Sequence, residues 1–153
     1  MQIRIVSLVF VLCLASQAQG RQCSTATGAG DWAYSYNGVL IIGSTGIPVA
    51  NVGRFTAKTD GTFTGSQTRS VAGMVADETI SGTFHVNADC TETFDAQVFQ
   101  NGTLVRTATL SVVLDDDGHA ARGIFKSLAQ ADGTPLPNVL SVDARKVFRD
   151  SAK

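Results

Sequence analysis

The densest grouping of reactive side chains in this 153-residue chain is "TFHVNADCTETF", residues 83–94. It places His85, Asp89, Cys90 and Glu92 within eight positions. Three chemistries draw on such residues. A thiolate beside a histidine is a nucleophile, a histidine–carboxylate pair moves protons, and His, Cys and acids together hold metals. The metal reading fails on supply, because His119 is the only other imidazole and no zinc set of the usual spacing can be assembled. The acid–base reading depends on the backbone. A turn at Asn87-Ala88-Asp89 would reverse the chain and bring Glu92 near His85, whereas surface placement of His85 beside Thr83 and Asn87 is the simpler expectation.

The nucleophile reading depends on the compartment. Residues 1–20 resemble a signal peptide, with a positive charge at Arg4, an apolar run from Ile5 to Ala15, and small residues at Ser16, Ala18 and Gly20. The run is too short to span a bilayer, and no later segment is more apolar, so no membrane span is expected. The remaining chain, 21–153, is about one domain long. The expected location is secreted or periplasmic. Cys13 would leave with the leader, which makes Cys23 and Cys90 an even pair in an oxidising compartment and hence a disulfide. Such a bond closes a loop of roughly 70 residues and stabilises by about 4 kcal/mol on chain entropy.

Charge removes another class. The chain has 12 basic and 13 acidic residues, scattered along its length. Nucleic-acid binding needs a clustered basic surface, so no nucleic-acid partner is expected. The basic end "DARKVFRDSAK" is read as a solvated terminus. Asp115, Asp116 and Asp117 lack the ligand spacing of a calcium loop and are read as an acidic hairpin turn.

The elements that must position any site are strands. Thr62, Thr64, Ser66 and Thr68 alternate with Phe63, Gly65 and Gln67. Ile80, Gly82, Phe84 and Val86 alternate with Thr79, Ser81, Thr83 and His85. Leu104, Ala108, Leu110, Val112 and Leu114 share a face interrupted only by Arg106, and Leu140, Val142, Ala144 and Phe148 form a last row. Turn signals separate these rows at Asn37-Gly38, Ser44-Thr45-Gly46, Asp60-Gly61, Ala72-Gly73, Asn87 to Asp89, Asn101-Gly102, Asp117-Gly118 and Asp132-Gly133. The one helix-like window, Phe125 to Ala131, reads better as a strand end. The expected fold is all-β, a single antiparallel up-and-down barrel of about eight strands, since closure removes open edges. A two-sheet sandwich is the alternative.

Polar residues on the inward rows are the informative exceptions. Gln67, Arg69 and Arg106 either lie near the barrel ends or line a partly polar lumen. With Trp32, Phe63, Phe84, Phe94 and Leu110, Gln67 and Arg106 form the candidate ligand-binding set. No catalytic set and no cofactor is expected.

The opening of the first strand, "GAGDWAYSYNG", carries Gly30-Asp31-Trp32, which is similar to the Gly-x-Trp of lipocalins and wider calycin barrels. That resemblance implies a tryptophan closing one barrel end beneath a basic residue of a late strand, for which Arg145 is the best positional match and Arg122 the second. The Thr-Asp-Tyr segment and the helix before the last strand are missing. The pattern "GTFTGS…SGTFxVNADCT" is more similar to small exported bacterial barrels, some of which resemble the allene oxide cyclase barrel. Two functions follow as expectations: a non-enzymatic binder of a small apolar molecule or interaction scaffold, and a cofactor-free isomerase or cyclase working in the lumen. Glu78, Glu92 and Arg106 are the residues to test first for the second.

Overall fold

Period-two alternation, repeated through enough short strands, ends in a cylinder. The computed structural model describes residues 22–147. The expected leader and the last residues of the basic end, with Phe148, lie outside the described residues. Eight strands run β1 (Gly30–Ile42), β2 (Thr45–Ala57), β3 (Thr62–Val71), β4 (Met74–Val86), β5 (Thr91–Gln100), β6 (Thr103–Asp115), β7 (Ala120–Gln130) and β8 (Asn138–Lys146). Each pairs antiparallel with its neighbour in sequence, and β1 pairs with β8 from Trp32 opposite Lys146 to Leu40 opposite Asn138. That closing ladder rules out the sandwich.

Seven short connections join the strands, and the sequence located most of them. Asn101 and Gly102 take φ of 52° and 77°, the positive angles that a type I′ hairpin demands. Asn37-Gly38 is a correction, because it lies inside β1 and not at a turn. Gly38 has φ 144° there, and a Cβ would run into the carbonyl of Val139 on β8. Glycine at this position serves strand closure, so a turn-like dipeptide marked a close approach. The true turn follows at Gly43 and Ser44.

Phe125 and Leu128 explain the helix-like window. The ladder between β6 and β7 shifts register after Thr109, so that Leu110 faces Phe125 while Thr109 faces Ser127. One extra residue on β7 lets both Phe125 and Leu128 pack towards the interior. A bulge therefore produced the three-residue spacing.

One element escaped the sequence reading. Residues Thr25–Gly28 form a single helical turn, α1, ahead of β1. Four residues are too few to show a helical period. Ser24 N donates to Thr27 Oγ1 at 3.1 Å, a capping contact. The disulfide between Cys23 and Cys90 is present, separated by 67 positions, and ties α1 to the β4–β5 turn. Cys90 sits in that turn with φ 66°, bonded and unavailable as a nucleophile. No helix among the described residues is long and apolar enough to cross a membrane.

Candidate functional site

Inward side chains of the eight strands enclose a cavity of about 90 Å³. Its wall is largely aromatic and aliphatic. Phe55, Phe63 and Phe94 meet edge to face at centroid separations of 5.3 to 5.8 Å, and Phe84 stacks on Phe94 at 5.5 Å. Edge-to-face contact is the arrangement that ring quadrupoles favour. Of the candidate set, Trp32, Phe63, Gln67, Phe94, Arg106 and Leu110 line this cavity. Phe84 is buried in the wall behind Phe94.

Two polar regions interrupt the apolar wall. The first lies in the half of the barrel away from α1. Glu78, 3 % exposed, faces Gln67 across the β3–β4 ladder. Its Oε2 accepts from Gln67 Nε2 at 2.6 Å, and Gln67 Oε1 accepts from the Tyr34 hydroxyl at 2.6 Å. Oε1 meets Arg69 Nε at 3.3 Å and Arg106 Nη2 at 2.5 Å. Burial pushes the Glu78 carboxyl up, but the hydrogen bonds from Arg106 and Gln67 and the charges of Arg106 and Arg69 outweigh it. The net result lies below the usual range, so Glu78 is ionised at neutral pH. Tyr36 stands beside this cluster, its phenol raised to about 12, chiefly by burial. Gln67 and Arg106 are buried at 6 % and 9 % exposure, so of the two placements open for these side chains the polar lumen is the one adopted.

The second region is the end closed by α1. Glu92 is 3 % exposed and lines the cavity, and its Oε1 has no hydrogen-bond partner. Burial raises its pKa to about 8 against a lesser lowering by the Lys146 charge. Above it, a Cβ added to Gly28 would sit 3.0 Å from Glu92 Oε1 and equally close to Phe84 and Val86. The last carbonyls of α1 are satisfied by the barrel itself. Trp32 Nε1 donates to Gly28 O at 2.9 Å, and Lys146 Nζ donates to Thr27 O at 2.8 Å. Lys146 Nζ also lies 5.3 Å from the Trp32 ring centroid.

Lys146 therefore takes the place over Trp32 that was expected for Arg145 or Arg122. Arg145 pairs with Ala33 on the outward parity of β8, 75 % exposed, and reaches Asp116 at 3.8 Å. Arg122 points out too, 3.0 Å from Asp115. Alternation in a strand makes adjacent residues face opposite ways, so Lys146 shares the inward parity of Leu140, Val142 and Ala144, and Arg145, taken from the resemblance, does not. The same rule separates His85 from Glu92. His85 is opposite Thr93 and exposed, whereas Glu92 is opposite Val86 and inside. The expected turn occurs, yet it does not join the pair.

The acidic segment forms a 3-10 turn, Asp116–Gly118, with Asp115 Oδ1 accepting from Asp116 N at 2.8 Å. Among the described residues no group of three or more His, Cys, Asp or Glu is gathered as a metal site.

What the fold and cavity define is a closed, eight-stranded antiparallel barrel with an aromatic-lined lumen. No protein-family model and no curated protein matches the sequence. Among solved structures the chain is similar to Rv2717c from M. tuberculosis, at 14 % identity over 80 % of this chain and 94 % of that one, with a TM-score of 0.40. So distant a likeness carries no argument about this chain.

Proposed function

We propose that this protein is an exported, calycin-like, non-enzymatic barrel whose lumen holds one small, largely apolar molecule. The observation that carries the reading is the cavity of about 90 Å³ among Phe55, Phe63, Phe94 and Leu110. Eight-stranded barrels stand at the size where the interior either fills or keeps room for one ligand. Trp32 beneath Lys146 at the closed end supports the calycin likeness. The Cys23–Cys90 bond supports export, because disulfides persist in oxidising compartments. Native mass spectrometry of protein purified from its own host tests the reading. A small-molecule adduct lost on denaturation is expected. A bare mass, with a crystal structure showing a lumen filled by side chains, would leave only an interaction scaffold.

Glu92 favours a second reading, a cofactor-free isomerase or cyclase. A carboxyl with a pKa of about 8 is neutral at pH 7 and lines the same cavity, positioned to donate a proton. Chromatography of the released ligand separates the two. A binder returns one compound, and an isomerase returns an equilibrating pair whose interconversion stops in Glu92→Gln.

A further inference from the structure

The lumen is not electrically neutral, and its excess charge says which small molecule suits it. Arg69 and Arg106 both line the cavity, whereas the Glu78 side chain is wholly shielded behind them. One carboxylate serves two guanidiniums, leaving a surplus positive charge in that half of the barrel. Both Glu78 oxygens are already engaged, Oε1 by the two arginines and Oε2 by Gln67. Arg106 is nine-tenths buried and shares one carboxylate oxygen, Glu78 Oε1, with Arg69. A buried charge without full compensation is unfavourable, and an anion arriving from the cavity would supply what is missing.

We propose that the lumen selects a small amphipathic monocarboxylate, its head between Arg69 and Arg106 and its tail among Phe55, Phe94 and Leu110. This rests on the lumen-binding reading above and adds the head group, the orientation and the size. Guanidinium forks present paired N–H groups that match a carboxylate. Tyr36, beside the two arginines, offers a phenol to the same anion. At the far end Glu92 is neutral at pH 7, so no second negative charge repels the ligand. Size is limited by volume: a cavity of about 150 Å³ accepts benzene, and this one is about 90 Å³. A short tail, not a long acyl chain, fits.

Titration calorimetry at pH 7 with propanoate, 1-propanol and propylammonium as probes, each with fewer heavy atoms than benzene, tests this on the full mature chain. Propanoate is expected to bind about tenfold tighter than propanol, and propylammonium weakest of all. Arg69→Gln, at a partly exposed position that should tolerate change, is expected to weaken propanoate about tenfold while leaving propanol within about twofold. Glu78→Gln, which adds to the surplus charge, should tighten propanoate instead, and thermal melting of each variant confirms that it is folded. Propanol matching propanoate, or a co-purified ligand without an acidic group, overturns the head-group assignment and leaves lumen binding standing. Failure of all three probes overturns this proposal, and a ligand-free native mass in addition removes the binding reading beneath it.

Discussion

Glu78 and Glu92 are both 3 % exposed inside one barrel, yet they are held in opposite protonation states. Glu78 has Gln67, Arg69 and Arg106 within hydrogen-bond or ionic reach, and these keep it charged. Glu92 has an apolar ceiling of Gly28, Phe84 and Val86, and Lys146 is turned instead to the Thr27 carbonyl, leaving it uncharged. Burial is common to both carboxyls, so the partners decide the difference. One end of the lumen is thereby charged, and the other is neutral beneath an apolar ceiling.

The largest test of this contrast is pH. Folding raises the Glu92 pKa from 4.5 to about 8. Between those values the folded protein keeps a proton that the unfolded chain has released, so stability falls as pH rises through that window. The span reaches up to about 5 kcal/mol. Glu92→Gln should abolish it, leaving the variant more stable than wild type at pH 8 to 9 in urea melts, and an unchanged pH slope would refute a neutral Glu92. Glu78 has the reverse sign. Its lowered pKa adds stability above pH 4.5 that is lost as pH falls through the folded value, so Glu78→Gln should flatten the acid limb instead.

Next in size is the staple of α1. Replacing Cys23 and Cys90 together by serine should lower stability by about 4 kcal/mol, read as a reduced urea midpoint. Hydrogen exchange should quicken first in 23–29, because α1 loses its tie to the β4–β5 turn. At the charged end, Glu78→Gln at pH 7 leaves Arg69 and Arg106 without an ionic partner and should cost about 3 kcal/mol. Smallest is Gly28→Ala, where a methyl group would press on Glu92, Phe84 and Val86 and cost about 1 kcal/mol. Combining it with Glu92→Ala should recover part of that loss, since Phe84 and Val86 still press on the methyl, whereas combining it with Glu78→Gln should be additive.

Strand rows were legible because a sheet repeats every two residues. Phe63, Gln67, Phe84, Ala108 and Val112 were all assigned to inward rows from alternation alone, and all are buried. Cys23 and Cys90 were legible by elimination once residues 1–20 were read as a leader, which left them the only pair. Lys146 was missed although the row Leu140, Val142 and Ala144 already gave its parity the inward face, because Arg145 was taken from the resemblance and not from alternation. Glu92 was suspected of chemistry for the wrong partner. His85 is close in sequence but on the outer face, and the groups that set the Glu92 environment come from α1, β4 and β8.

By itself, then, the sequence determined the strand count, the inward rows, the disulfide and the presence of polar residues at inward positions, because these follow from local periodicity and composition. Only the tertiary structure decided that Glu78 is paired while Glu92 is not, that Lys146 lies over Trp32, and that α1 seals one end. Those outcomes turn on distances of a few ångströms between residues as far as 119 positions apart, such as Thr27 and Lys146. Such distances are set by register and closure around the whole barrel, which no local pattern encodes.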